Sequence, residues 1–374
     1  MKRLRLNNRL LFLATALAAL AAYQIAREFR PSLVGPNVRL RAYVSNAGDG
    51  SVSVVDLVAL ATVATIPVGP APSGLRQRPT QKEIWGVSTE GGYVWVIDAV
   101  AGNVSARIPV GGAPFAVEFS PDGRRAYVAA SGANTLVAID ATTKQVVTRA
   151  RTGRRPWLAR ITPDGRTVLV ASRDDSTLQL FDAATLAPLG TIGVAQHPEH
   201  IVVLPDSSVA FVSAADANQV SVVDLRQRVL LTNLALGGTP ADMVLKPDGG
   251  ELYITVPESH GIEIIKTSTA EVAESMLVGL APTEAMLDPT AAQLYLSDSA
   301  AGRVLPIAIN SRLVRPPIAV GHQPGACRLD PSGELLVVAN RDSNDLAIIR
   351  VRTASLLTMV PVGSRPSDLA VLLF

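Results

Sequence analysis

Eight bulky positions stand 42 residues apart without a gap: Tyr43, Trp85, Tyr127, Leu169, Phe211, Tyr253, Tyr295 and Val337. A proline series keeps the same stride, at 72, 114, 156, 198, 240, 282, 324 and 366. A second proline series, beginning at Pro79 and Pro121 and ending at Pro331, marks a turn. A fixed period near 40 residues, with short strand-like runs between turn signals, specifies a β-propeller. Each unit buries its apolar faces only by stacking on its neighbours. The usual expectation of one domain per ~150 residues therefore gives way to a single ring.

Residues 114–155 show the order within one unit. PFAVEFS reads as a short strand, A, and Pro121-Asp122-Gly123 as a tight turn. RRAYVAAS reads as strand B, TLVAID as strand C and QVVTRARTG as strand D, with turns at Gly132-Ala133-Asn134 and Ala141-Thr142-Thr143. The chain enters its first unit at strand B (Arg41-Ala42-Tyr43-Val44) and ends on an eighth strand A (Pro366 to Phe374). Joining the last strand to the first unit closes the ring and removes an open sheet edge. The expectation is an all-β fold over 41–374: a single β-propeller of eight four-stranded blades, with 1–30 a signal peptide or signal anchor helix and 31–40 a linker.

The leader begins with Lys2, Arg3, Arg5 and Arg9 and continues as an apolar run, Leu10 to Ala22. That is the length of a signal-peptide core, and the small-x-small triplets Ala16-Leu17-Ala18 and Ala19-Leu20-Ala21 suit cleavage. Cleavage implies a periplasmic or extracellular protein. Counted through Ala26 the run has 17 residues, the short limit for a membrane span, so an uncleaved anchor in the cytoplasmic membrane is the alternative. Arg27 and Arg30 add two more positive charges, and Glu28 removes one. Residues 1–30 thus carry +5 of a total of +2, leaving −3 on the propeller. The basic character belongs to the leader, so no nucleic-acid binding is expected. A membrane is a partner only through the leader, if it stays uncleaved. The single cysteine, Cys327, lies in an apolar strand pattern and reads as a buried thiol.

The segments AYVSN (42–46), SVVD (53–56), IPVG (66–69) and SPDG (120–123) resemble the YVTN β-propeller repeat, over about nine tenths of the chain. The resemblance implies a bacterial exported propeller, WD40-like or lactonase-like, usually of seven blades; seven is the alternative to the eight counted here. Members serve as binding proteins, lactonases and haem- or quinone-linked oxidoreductases. The strand-C aspartate of the repeat holds at Asp56, Asp98, Asp140, Asp182 and Asp224, then gives way to Lys266, Ala308 and Arg350.

With A and B antiparallel, the D–A and B–C connections share one face, called the top, and the Pro-Asp-Gly turns lie on the bottom. Function in propellers tends to sit on loops over the rigid channel. Two residues past each proline, on the innermost strand, lie Gly74, Ala116, Leu158, His200, Asp242, Glu284, Ala326 and Asp368. Two residues deeper come Arg76, Glu118, Arg160 and Arg328. Carboxylates and imidazole suit a divalent cation, and arginines suit an anion. Equally, a carboxylate tier over an arginine tier neutralises itself around a water-filled channel. The expected ligand-binding set is Arg155, Trp157, His197, His200, Asp242, Glu284, His322, Arg365 and Asp368, with Trp157 an exposed aromatic beside Arg154 and Arg155. His197-x-x-His200 has a proline between its histidines and no cysteine partner, so no metal ligand is assigned. The Arg173-Asp174-Asp175 loop reads as a solvated turn.

No Cys-x-x-Cys-His, phosphate loop or nucleophile elbow is present. The first expectation is therefore an exported, non-catalytic binding or scaffold module that offers its top face to a protein or small ligand. No catalytic residue is assigned, and no cofactor is predicted beyond a divalent metal as an optional occupant of the channel mouth. The alternatives are a lactonase-like or metal-dependent hydrolase and a haem d1- or quinone-linked oxidoreductase, the last counted weakest because short loops leave little cover for a large cofactor.

Overall fold

The computed structural model describes residues 39–374. The leader expected over 1–30 lies outside the described residues, as does the linker apart from Arg39 and Leu40. Among the described residues no helix is long and apolar enough to cross a membrane.

Eight antiparallel sheets form the ring. Blade 1 comprises strands Leu40–Asn46, Ser51–Asp56 and Ala61–Pro67, and its innermost strand is Pro366–Leu373 from the far end of the chain. The latch pairs Leu40 with Leu373, Tyr43 with Ala370 and Ser45 with Asp368. Eight blades and this closure are as expected. The A strands of blades 2 to 8 start at Pro72, Pro114, Pro156, Pro198, Asp242, Pro282 and Pro324. Blade 6 departs from the repeat: its A strand is cut to Asp242–Leu245 and leaves Pro240 outside. In blade 7 the outer strand is split into Leu313–Val314 and Ile318–Ala319, because Pro316 and Pro317 between them offer no N–H to the ladder. Four B–C turns, such as Ser131–Ala133, close as a single 3-10 turn capped by a left-handed residue, here Asn134.

Burial explains the ladder order. The B and C strands are covered on both faces, as in Ala126–Ala130 and Leu136–Ile139, whereas the outer strand Gln145–Arg151 alternates between exposed and half-buried. The buried apolar side chains fall into eight clusters, one at each junction between adjacent blades. Each member of the Tyr43 to Val337 series sits in a different one, at 2% exposure or less. The 42-residue stride is thus the spacing of inter-blade contacts.

Two recurring aspartates are turn elements. Asp140 Oδ1 accepts the N–H groups of Thr142 and Thr143 at 2.9 and 2.8 Å, and Asp56, Asp98, Asp182 and Asp224 do the same in their own C–D turns. On the A–B turn, Asp122 Oδ1 takes Ser120 Oγ–H at 2.6 Å and the Arg124 N–H at 3.0 Å. Both are local side-chain-to-backbone turns that hold a hairpin without reference to any ligand.

Leu369 and Leu372 of the latch are each 1% exposed. Truncating either to alanine is expected to cost about 2–5 kcal/mol in denaturant unfolding. Leu277→Ala on an outer strand, where the side chain is 83% exposed, is expected to stay within about 0.5 kcal/mol.

Candidate functional site

The top face is assembled as expected, with D–A and B–C connections side by side. Thr89 N–H donates to Ala71 O at 3.1 Å and Ser88 Oγ–H to Pro70 O at 2.6 Å. The residue before the A strand has a left-handed φ at Ala71, Ala113, Arg155, His197, Gln323 and Arg365. Because alanines share this conformation with His197 and Arg155, it belongs to the loop design and marks no functional strain.

The axial carboxylates divide by role. Between its proline and its fourth residue most A strands slip register against strand B. The fourth residue's N–H in blades 2 and 7 is met from the preceding blade. Leu75 N–H donates to Asp368 Oδ2 at 2.9 Å and Ala285 N–H to Asp242 Oδ2 at 3.1 Å. The other oxygen of each aspartate accepts its own next N–H, Leu369 and Met243 respectively, at 2.8 Å. Asp242 and Asp368 are therefore latches between neighbouring A strands. At the same tier Gly74 is obligatory: its φ is +60°, and a Cβ there would come within 2.5 Å of Ala116 Cα.

Below them the arginines neutralise the acids. Arg328 lies between Glu284 (3.6 Å) and Asp368 (3.3 Å), Arg76 reaches Asp368 at 3.8 Å, and Arg160 forks onto both oxygens of Glu118 at 3.1 Å. Burial works against the charge on Arg328, but Asp368 and Glu284 outweigh it and raise its pKa; burial lowers that of Arg76. Among the described residues no three His, Cys, Asp or Glu side chains are grouped to hold a metal ion, so His200, Asp242 and Glu284 do not form the cation site considered above. Cys327 is buried as expected, and burial, reinforced by Glu284, pushes its thiol up to about 12.

The remaining expected residues are dispersed. Arg155 pairs with Asp174 (3.3 Å) and Arg154 with Asp175 (2.6 Å), so the acids of that B–C loop are held by the arginines of the neighbouring D–A loop. His197 Nδ1 contacts Asp216 Oδ2. His322 lines an open cleft of about 930 Å³ between blades 7 and 8, with Gln323 and Asp342. Arg365 is exposed on the rim, where its N–H meets Asn344 Oδ1 at 2.8 Å. His260 is also on the rim, with Nδ1 at 2.6 Å from Leu280 O.

Trp157 is half-buried, and its cation is neither Arg154 nor Arg155. The Arg173 guanidinium lies 4.5 Å from the centre of its ring, and Phe115 stacks on it at 4.0 Å and 30°. Arg173 in turn holds Glu199 at 2.8 Å, while its Nε is buried without a protein partner. Phe115, Trp157 and Glu199 occupy consecutive blades at one repeat position, the residue after the proline. That shared position was a readable signal for Phe115 and Glu199; Arg173, set in an apparently solvated loop, had none. Beside Glu199, His200 has its N–H fixed by Ser213 Oγ at 3.0 Å, and among the described residues no hydrogen bond reaches its imidazole. Elsewhere the position after the proline is small or short: Ser73, Ala241, Thr283, Gly325 and Ser367. The mouth is thus lopsided, with a stacked wall and a free imidazole on blades 3 to 5.

Residues 83–239 match the family model of the cytochrome D1 heme domain. No curated protein sequence matches the chain. Among solved structures, the chain is similar to dihydro-heme d1 dehydrogenase NirN in complex with DHE, with a TM-score of 0.78 at 17% identity over 88% of this chain and 74% of that one. It is also similar to Kuenenia stuttgartiensis hydrazine synthase, with a TM-score of 0.62 at 20% identity over 75% of this chain and 95% of that one. A functionally unknown protein from Desulfotomaculum acetoxidans gives a TM-score of 0.59 at 14% identity over 88% and 98%. At these identities the structural likenesses establish the propeller fold. The family-model match stands against the first expectation, a non-catalytic module without cofactor, and on the side of the haem d1-linked alternative.

If Asp368 is a latch, Asp368→Ala leaves the Leu75 N–H and two arginines short of an acceptor. It is expected to lower unfolding stability by about 2–4 kcal/mol, with Arg365→Ala on the rim near neutral. Chemical denaturation of the two variants checks this.

Proposed function

We propose that this chain is an exported, YVTN-type eight-bladed propeller that binds a haem d1-class tetrapyrrole over the top of its axial channel. The observation that carries the reading is a coincidence of place. The stretch matching the cytochrome D1 heme domain, 83–239, contains Phe115, Trp157, Arg173, Glu199 and His200, which together form the lopsided half of the mouth.

The residues present fit such a group. A flat conjugated macrocycle suits the stacked wall of Phe115 and Trp157. An imidazole without a partner among the described residues suits a ligand to iron, and His200, on a strand start braced by Ser213, would supply it. The buried, unpartnered Nε of Arg173 is a donor suited to a peripheral carboxylate. The short residues around the rest of the ring leave the mouth open, which answers the objection that a large cofactor needs long loops. When bound, the group would supply one-electron redox chemistry at iron. The chain's own part would be to stack, to ligate through His200 and to donate a hydrogen bond from Arg173 Nε.

Titration of the purified full-length chain with extracted haem d1, followed in the visible region, tests this. A saturable band shift at one equivalent is expected. His200→Ala is expected to abolish the ligand-dependent shift, and Trp157→Ala to weaken binding up to about tenfold, the scale of one aromatic stacking contact. Unchanged bands in the wild type, or an undiminished shift in His200→Ala, overturn the reading.

A further inference from the structure

Glu284 differs from the other acids of the axial channel. Asp242 and Asp368 each accept two backbone N–H groups, and Glu118 is forked by Arg160. Among the described residues Glu284 accepts none, and its nearest cation, Arg328 Nη1, stands off at 3.6 Å. The ionisable groups around it can be named by blade. On the preceding blade is Asp242; on the following blade are Arg328 and the Cys327 thiol; two and three blades on are Asp368 and Arg76, with the Arg160–Glu118 pair beyond. On the adjacent strand of its own blade, Asp298 is already held by Arg303 at 2.9 Å and by the N–H groups of Leu280 and Ala281.

Counted together, Glu118, Asp242, Glu284 and Asp368 carry four negative charges against the three positive charges of Arg76, Arg160 and Arg328. One proton balances the channel. We propose that Glu284 is the proton-binding site of the axial channel, exchanging a proton with channel water.

About a third of the Glu284 side chain (34%) faces the lumen, so water reaches it. Burial raises its pKa, Arg328 opposes this, and Asp242 and Asp368 add to it, pushing the carboxyl up to about 7. The proposal does not depend on any ligand at the mouth, so it stands or falls separately from the tetrapyrrole reading.

The sign of the pH effect follows. Between the ordinary glutamate value and about 7 the folded chain binds a proton that the unfolded chain has lost. Stability is therefore full below that range and falls as pH rises through about 7. Thermal unfolding of the ligand-free chain from about pH 5 to pH 9 is compared with that of Glu284→Gln, which keeps the shape and cannot ionise. The wild type is expected to lose a few degrees relative to the variant as pH rises from about 5 to about 7, and to run parallel to it above that. Infrared spectra of wild type carrying carbon-13 glutamate are expected to show a glutamic-acid carbonyl band that disappears as pH rises through about 7; this measurement holds even if the variant fails to fold. Melting temperatures that run parallel over the whole range, absence of that band from the wild type, or its persistence in Glu284→Gln overturns the assignment.

Discussion

Each blade sets one bulky strand-B side chain against the next sheet, and the ring exists because the eighth such contact meets the first blade. Val337 of blade 8 shares its cluster with Leu40, Val44 and Leu369 of blade 1, whereas Tyr43 on the same strand as Val44 points the other way, into the cluster with blade 2. Every sheet is therefore a wedge with two apolar faces, and none is stable without both neighbours. The chain supplies the missing innermost strand of blade 1 from its own far end, so the last junction forms only when the whole ring has assembled. Long-range pairing of this kind defers its return until late in folding.

Rigidity of the ring determines what the axial residues can do. The A strands converge on the channel, and their slipped register leaves N–H groups to be met from the neighbouring blade. Two of the most conspicuous acids, Asp242 and Asp368, are consumed by that requirement. The arginines below them offset the remaining charge. What is left for chemistry is what no backbone group claims: the Phe115–Trp157–Arg173 stack, the His200 imidazole and the loosely paired Glu284. A ligand-binding role at this mouth would rest on a few side chains of three consecutive blades, with Glu284 of blade 7 set apart from them.

Much of this was readable beforehand. The blade number, the closure and the identity of the top face follow from equal spacing and from the strand at which the chain enters and leaves. The turn aspartates were visible as a series, though their purpose as acceptors for two N–H groups was not. The site was less legible. Asp242, Glu284 and His200 stand at one repeat position on consecutive blades and look like a cluster, yet two-dimensional position does not report which backbone donors await each carboxylate. Arg173 was hidden for a related reason: its loop carries two aspartates and resembles a solvated turn, and only in the ring does the guanidinium reach Trp157 while Arg154 and Arg155 take the acids.

The linear pattern by itself determined the architecture, because a propeller is a sum of identical short-range units whose length and apolar positions are written in every repeat. Tertiary structure alone decided which charged side chains are structural and which are free. That distinction depends on contacts between residues about 40 positions apart on neighbouring blades, and on one pairing across nearly the full chain. Partner geometry, distance and enclosure govern the energetics of buried charge, and none of the three is carried by residue type or spacing.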